Sequence, residues 1–281
     1  MEIITSRQNQ KVKSIAALSD KKGREKQGLF RFDGIKLFCD ALHTLSIKHV
    51  VVRYPASEAV TRAIDLATEL GEMREEQLIY VSDSVFEKLT EERSPEGIIT
   101  VAEQMDTLHT RAEDLLAAAE SLDGKKLLIA ESVRDTGNLG TIMRSCAALG
   151  IDTLVLSHDC ADLYNPKTVR AAMGALFRMP TLSVDQTELP EFVRCLRERG
   201  RHVYAAALRE DAQRIGQMPL RRGDCFIIGN EGHGLTEQTI DASDGAAIIP
   251  MIEGNESLNA SAAATVCIWE TVRAYGIGGG N

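Results

Sequence analysis

Residues 126–150 read KLLIAESVRDTGNLGTIMRSCAALG, and this stretch indicates the fold of the carboxyl-terminal half of the chain. Its first seven residues are apolar enough for a strand that is buried on both faces, as in a parallel sheet. Turn residues follow, and GNLGTIMRSCAALG (137–150) is typical of a helix. A strand, a tight turn and a helix in this order predict an α/β domain with a doubly wound parallel sheet, whose ligand sites lie at the strand carboxyl ends.

The same alternation continues along the chain. In the carboxyl-terminal part, strands are predicted at 152–157, 202–208, 225–230 and 246–251, and helices at 166–174, 190–200 and 259–276. Before residue 105 the units are shorter, with strands predicted at 47–54, 77–82 and 97–104 and helices at 57–71 and 83–92. The predicted organisation is therefore a small α/β domain at 1–105, a helical linker at 106–124 (HTRAEDLLAAAESLDG from 109) and a larger domain at 125–281.

The bulk composition is that of a globular protein. The 281 residues are 44% hydrophobic and 26% charged, values that favour folded domains over disorder. No run of about 18 apolar residues predicts a membrane span, and the amino-terminal residues lack the features of a signal peptide. The six cysteines form no CxxC pair, which argues against a disulfide framework and a zinc site. We expect a cytoplasmic protein without a membrane or metal partner.

The charge distribution is compatible with a local contact with nucleic acid. The net charge is −9, but residues 1–36 carry nine Lys or Arg against four Asp or Glu, a net of +5, so the remainder carries −14. A basic stretch on an acidic body suits local phosphate binding. The candidate RNA contacts are Arg7, Lys11, Lys13, Lys21, Lys22, Arg24 and Lys26. The alternative is a solvated charged helix face.

The first motif, RDTGNLGTIMRSCAALG (134–150), combines a turn with the start of a helix. A helix start directs backbone N–H groups at an anion, and Arg144 on the second turn could add a contact to a phosphate or hydroxyl group. By itself the pattern is also compatible with an ordinary helix cap.

The second motif, FIIGNEGHGL (226–235), is a buried strand followed by three glycines that would let a ligand lie against bare backbone. It is neither a Walker loop nor a dinucleotide fingerprint. A tight corner after a strand is the alternative interpretation.

The third motif, IIPMIEGNESLNASAAATVCIWE (248–270), begins with another apolar strand. A polar loop with Glu256, Ser257 and Asn259 follows, and a helix of small residues comes next. Those small residues would allow close approach to a neighbouring helix, and ordinary helix packing is the alternative.

Together and in this order, the three motifs resemble the SpoU (TrmH-type) branch of the SPOUT RNA 2′-O-methyltransferases. Residues 4–37 and 93–101 are similar to the L30e-like RNA-binding domain of the same family. The resemblance implies a carboxyl-terminal SPOUT domain with a deep trefoil knot, an exception to the usual absence of knots. It also implies S-adenosylmethionine as methyl donor, an RNA substrate that is ribosomal rather than transfer RNA, and a homodimer.

The resemblance also implies roles for particular residues. The expected donor contacts are Gly229, Gly232, Ile249, Met251 and Leu258, and the expected catalytic set is Asn138, Arg144, Glu231, Ser257 and Asn259. Three positions depart from the family pattern, namely Thr136, Thr265 and Asp33. None of these departures removes a polar group that the chemistry would need.

Methyl transfer from a sulfonium to a hydroxyl mainly requires alignment and a more nucleophilic oxygen. Family mechanisms assign proton acceptance to the arginine that matches Arg144. Because a guanidinium stays protonated in proteins, we favour contact with the ribose hydroxyl and its phosphate, with Asn138 and Glu231 orienting Arg144. His233 is a candidate general base, although its place in a glycine turn favours a structural role.

Two other classes of protein stay open. One is a catalytically silent RNA-binding protein, against which the presence of Arg144 and the polar loop argues. The other is a nucleotide-dependent oxidoreductase, which the missing dinucleotide fingerprint disfavours.

Overall fold

The computed structural model describes residues 2–252 and 257–275. The contacts within the chain divide it into two compact units. The first unit contains the residues up to Met105 together with Asp162–Phe177. The second unit contains Asp106–Ala161 and the residues from Arg178 onward. Part of the predicted carboxyl-terminal domain therefore packs within the first unit. The predicted linker 106–124 contributes to the second unit.

The elements alternate through both units. The strands are β1 (Ile3–Ile4), β2 (Leu29–Asp33), β3 (Ile47–Arg53), β4 (Leu78–Val81), β5 (Ile98–Glu103), β6 (His109–Arg111), β7 (Leu127–Ala130), β8 (Thr153–Ser157), β9 (Thr181–Val184), β10 (Val203–Ala206), β11 (Gln213–Arg214), β12 (Cys225–Ile228) and β13 (Gly245–Ile248). The α-helices are α1 (Gln10–Ala16), α2 (Lys21–Gln27), α3 (Ile35–Leu42), α4 (Glu58–Glu69), α5 (Asp83–Leu89), α6 (Leu115–Glu120), α7 (Thr136–Leu149), α8 (Pro166–Ala172), α9 (Leu189–Glu198), α10 (Glu237–Ala242) and α11 (Ala260–Tyr275).

The first unit is built on a mixed sheet in the order β1-β4-β3-β5-β2. Strands β1, β4 and β3 are parallel, whereas β5 pairs antiparallel with both β3 and β2. Aromatic rings of β2 pack on the inserted segment, with centroids 4.8 Å apart for Phe30 and Tyr164 and 5.1 Å apart for Phe32 and Phe177. Residues 162–177 therefore complete the core of this unit.

One of the seven predicted RNA contacts is a core residue. Arg24 is 2% exposed, and its guanidinium donates to the carbonyl oxygens of Leu18 and Ser19 and to Asp162 at 2.5 to 2.8 Å. The prediction that Arg24 contacts phosphate is therefore wrong, because a buried and paired guanidinium is not available to a ligand. The other six side chains are exposed: Arg7, Lys11, Lys13, Lys21, Lys22 and Lys26.

The second unit confirms the predicted doubly wound parallel sheet. Eight strands lie in the order β11-β13-β10-β12-β7-β8-β9-β6, and every pair within the described residues is parallel. All residues of β7 and β12 are buried, as their continuous apolar sequences predict. The carboxyl ends of β13, β10, β12 and β7 therefore lie side by side at one edge of the sheet. The trefoil knot stays a prediction.

The predicted helix from residue 109 to 124 is wrong in its first part. His109–Arg111 form β6, an edge strand that pairs with β9, and the helix begins only after Asp114, whose side chain accepts a hydrogen bond from the Ala117 N–H. The periodicity of the sequence predicted a helix at these residues, but their pairing with β9 makes them a strand. Across 2–252 and 257–275, no helix is long and apolar enough to cross a membrane.

Candidate active site

A cavity of about 530 Å³ opens at the carboxyl ends of β10, β12 and β13. Its lining includes residues 206–209, 228–235, 247–249, Met251, Ser257, Leu258 and two alanines of α11, Ala260 and Ala263. All five predicted donor contacts lie on this lining: Gly229, Gly232, Ile249, Met251 and Leu258. Residues at the ends of three strands and in the third motif therefore surround a space that is large enough for a small-molecule ligand.

The glycine loop, residues 229–235, folds back on itself at the cavity. The backbone groups of Asn230 and Gly234 exchange two hydrogen bonds of 3.0 Å. A Cβ on Gly229 would lie 2.3 Å from the carbonyl carbon of Gly234, so this position admits only glycine in the present loop. A side chain at Gly229 would therefore collide with the loop's own backbone before it reached a ligand in the cavity.

Three predicted catalytic residues form a hydrogen-bonded polar chain. The Asn138 side-chain N–H donates to Glu231 Oε1 at 3.0 Å, and the Asn259 side-chain N–H donates to Asn138 Oδ1 at 2.9 Å. Helix α7 fixes Asn138, because its N-cap Asp135 accepts from the Asn138 backbone N–H at 2.7 Å. The polar chain thus joins the three motifs, with Glu231, Asn138 and Asn259 each contributing one member.

Glu231 is placed by backbone as well as by Asn138. Its two carboxylate oxygens accept from the N–H groups of Arg134 and Asp135 at 3.3 and 3.2 Å, just before α7 begins. Partial burial opposes ionisation, but these hydrogen bonds and the one from Asn138 lower the pKa of the Glu231 carboxyl below its ordinary value. The group is therefore suited to accepting hydrogen bonds and poorly suited to storing a proton.

Arg144 lies apart from the polar chain. Six residues along a helix separate Arg144 from Asn138, which corresponds to about 9 Å along the axis and about 120° around it. The Arg144 side chain is exposed, and within the described ranges it has no hydrogen bond or ion pair. The expectation that Asn138 and Glu231 orient Arg144 is therefore wrong within one chain. Ser257 lines the cavity, and Glu256 lies outside the described residues.

Sequence analysis missed two parts of the site. The last residue of β10 and the three residues after it (206–209) line the cavity, and only the general rule about strand ends in parallel sheets could have indicated them. Ser132 was also missed. It adopts a left-handed backbone (φ 54°), accepts from the Asn230 amide through its carbonyl at 2.7 Å and donates through its hydroxyl to Asp159 at 2.7 Å. An unusual backbone held by several contacts is common at functional sites.

The fold and the cavity define a doubly wound α/β protein with a ligand site at the strand carboxyl ends. Two family models match the chain, the SpoU rRNA Methylase family over residues 125–269 and the MRM3-like substrate binding domain over 9–100. The first of these covers just over half of the chain and contains all three motifs.

Relatives match over the whole length of the chain. It is 32% identical over 270 residues to the 23S rRNA (guanosine(2553)-2′-O)-methyltransferase RlmP of Bacillus subtilis, covering 96% of this chain and 98% of that one. Among solved structures, the AdoMet-bound rRNA methyltransferase from Sinorhizobium meliloti has a TM-score of 0.80 at 27% identity, covering 97% of both chains. The AdoMet complex of the SpoU methyltransferase AviRb from Streptomyces viridochromogenes has a TM-score of 0.76 at 25% identity, covering 95% of this chain and 98% of that one. The chain belongs to the SpoU rRNA methylase family, which confirms the resemblance drawn from its motifs.

Two of the three glycines of the loop allow a matched test of its geometry. A Cβ on Gly229 would overlap backbone atoms, whereas a Cβ on Gly232 would have Asn230 Oδ1 as its nearest neighbour at 3.5 Å, an ordinary contact. We predict that Gly229→Ala destabilises the loop by about 1–3 kcal/mol, and that Gly232→Ala leaves it unchanged. Hydrogen exchange of the amides at 229–236 measures this difference. Equal protection in both variants would contradict the closed loop.

Proposed function

We propose that this chain transfers a methyl group from S-adenosylmethionine to a ribose 2′-hydroxyl of ribosomal RNA. The observation that carries the proposal is the polar chain of Glu231, Asn138 and Asn259 beside the cavity that all five predicted donor contacts line. The matching relatives and AdoMet complexes of the same family support both donor and substrate class. The likeness to a bacterial rRNA methyltransferase supports action in the cytoplasm.

The cavity suits the proposed donor chemically. Its apolar lining includes Ile249, Met251 and Leu258, which would face a purine ring, and the glycine loop presents bare backbone to the polar edges of such a ligand. When bound, the donor supplies an activated methyl group on a sulfonium. Gly229 and Gly232 would hold it through main chain, and Ser257 would shape the end of the cavity nearest the third motif.

The polar residues of the site then have to position the ribose. Asn138 and Asn259 offer amide groups to a nucleotide, and Glu231 fixes the Asn138 amide by accepting its N–H. Arg144 contacts the 2′-hydroxyl and the adjacent phosphate and stabilises negative charge that develops on the oxygen. His233, on the exposed part of the glycine loop, keeps a structural role through its backbone N–H bond to Asn230 Oδ1.

We also propose that the active protein is a homodimer whose sites are shared. The exposed side chain of Arg144 points to this arrangement, because the polar chain of the same subunit does not contact it. A second copy of the chain would bring Arg144 to the partner's cavity. The small residues Ser145, Ala147, Ala148 and Gly150 would allow its helix to approach a partner closely.

RNA capture is assigned to the amino-terminal domain predicted at 1–105. Residues 9–100 match the MRM3-like substrate binding domain, and six exposed cationic side chains lie between residues 7 and 26. Phosphate binding by such side chains provides affinity without sequence selectivity.

The first prediction for this function concerns the donor cavity. Ala263 lines the cavity from α11, whereas its neighbour Ala262 is exposed and does not line it. We predict that Ala263→Leu weakens S-adenosylmethionine binding by about 10- to 100-fold, because the added carbons occupy the ligand's space, and that Ala262→Leu binds like the parent protein. Isothermal titration calorimetry measures both. Equal affinities would place the donor elsewhere.

The second prediction concerns catalysis. With labelled S-adenosylmethionine and ribosomal RNA from a strain lacking the gene, the parent protein should transfer label to an alkali-resistant dinucleotide, the mark of a 2′-O-methyl group. We predict that Arg144→Ala lowers the rate by about 100-fold or more while donor affinity is kept. Arg144→Lys should fail similarly, since an ammonium lacks the planar fork that spans hydroxyl and phosphate.

Subunit mixing then tests the shared site. At a donor concentration well below the Kd of Ala263→Leu, a mixture of Arg144→Ala and Ala263→Leu subunits should be more active than either variant alone, because each heterodimer contains one complete composite site. A mixture that stays inactive despite demonstrated subunit exchange would show that each site lies within one chain.

The labelling assay also tests which atom is methylated. Label that is recovered only in methylated bases would refute the ribose as acceptor.

The third prediction concerns RNA capture. Replacing Lys11, Lys13, Lys22 and Lys26 with Gln should weaken RNA binding and reduce its salt dependence by about one unit of slope for each lost phosphate contact. Donor affinity should not change. Filter binding between 50 and 200 mM salt measures the slope, and a constant slope would identify these charges as a solvated surface.

A further inference from the structure

Glu131 is a buried acidic residue that the mechanism above does not use. It follows β7 directly and is 1% exposed. Its carboxylate accepts three hydrogen bonds, from the Thr236 backbone N–H at 3.0 Å, from the Thr236 hydroxyl at 2.8 Å and from the Thr239 hydroxyl at 2.9 Å. A buried carboxylate that accepts three hydrogen bonds is a specific feature of the fold and not a chance contact.

The partners of Glu131 lie at both ends of the glycine loop. Its backbone N–H donates to the carbonyl oxygen of Ile228 at 2.8 Å, immediately before the loop begins. Its side chain binds Thr236, immediately after the loop ends. One residue therefore holds both ends of the segment that lines the cavity.

The interior of the loop is fixed by other groups. The Asn230 amide donates to the Ser132 carbonyl, and Glu231 accepts from Arg134 and Asp135. These contacts place the tip of the loop against residues 132–135. The exit of the loop lies outside these contacts: Leu235 packs in the apolar core, and the Glu131 carboxylate binds Thr236.

We propose that Glu131 is a positioning residue that fixes the glycine loop in the conformation that binds the methyl donor. The inference rests on the proposed function, because it takes the cavity to be the donor site. Glu131 lies behind the loop and does not line the cavity, so its effect passes through Thr236 and Thr239. It should change donor affinity more than the rate of the chemical step.

The substitution Glu131→Gln keeps the size of the side chain but changes its hydrogen-bonding groups. An amide has one oxygen acceptor and an NH2 donor, so either the Thr236 N–H faces the NH2 group, or the two threonine hydroxyls must turn to accept from it and lose their own acceptor. We predict that Glu131→Gln weakens binding of S-adenosylhomocysteine by about tenfold, which corresponds to about 1.4 kcal/mol. The KM for the donor should rise, and kcat at saturating donor should stay within about twofold.

Thr239→Val provides a milder variant with a matched control. It removes one hydroxyl that donates to Glu131 and that also contacts the Thr236 hydroxyl at 3.0 Å, but it keeps the Thr239 backbone N–H that Thr236 caps at the start of α10. Thr271→Val removes an equally buried hydroxyl whose partner is the Cys267 carbonyl in α11, remote from the loop exit. Thr239→Val should weaken binding by about threefold, Thr271→Val should not weaken it, and the Glu131→Gln and Thr239→Val effects should not add.

Calorimetry with S-adenosylhomocysteine on the parent, the three single variants and the double variant Glu131→Gln/Thr239→Val distinguishes the outcomes. A parent protein that does not bind the ligand contradicts the proposed function itself. A parent that binds, with Glu131→Gln binding equally well or losing kcat at unchanged KM, overturns only the role of Glu131. If Glu131→Gln does not fold, Thr239→Val decides: faster hydrogen exchange at 229–236 with weaker binding supports the proposal, and unchanged values refute it.

Discussion

The backbone at Gly229 leaves no space for a side chain, and the rest of the site depends on that constraint. The chain leaves β12 and doubles back so closely that a Cβ would lie 2.3 Å from the Gly234 carbonyl carbon. Because the loop is closed by the hydrogen bonds between Asn230 and Gly234, the side chains of Asn230 and Glu231 are directed to residues 132–138. One close backbone approach therefore creates the wall of the cavity and places the carboxylate that organises the polar residues.

The polar chain explains why three short motifs act together. Glu231 and Asn138 are 93 residues apart in sequence, and Asn138 and Asn259 are 121 apart, yet each pair is joined by a hydrogen bond of 3.0 Å or less. Adjacent parallel strands β7 and β12 bring the first two motifs together, and α11 packs on α7 to bring the third. The Glu231 carboxylate thus fixes the Asn138 amide, and apolar residues and bare backbone line the neighbouring cavity.

Much of this architecture was predictable from the sequence. Apolar runs such as 225–230 are typical of strands that are buried on both faces of a sheet. They predicted the parallel sheet, and the parallel sheet in turn predicted a site at the strand carboxyl ends. The edge strands β6 and β11 were not predictable, because three- or two-residue strands depend on their partners and not on periodicity. The burial of Arg24 could not be predicted either. An arginine in a basic stretch looks the same in the sequence whether it binds RNA or forms an ion pair with Asp162. Arg144 was found by its motif, but its separation from Asn138 is a consequence of helix geometry.

The most direct test of this account is a crystal structure of the protein with S-adenosylhomocysteine. We expect ligand density in the cavity formed by residues 206–209, the glycine loop, residues 247–249, Met251, Ser257 and Leu258, with polar ligand atoms against the main chain of the loop and the closed loop unchanged. Density that lies outside this cavity, or a loop that opens and separates Glu231 from Asn138 when the ligand binds, would contradict the account.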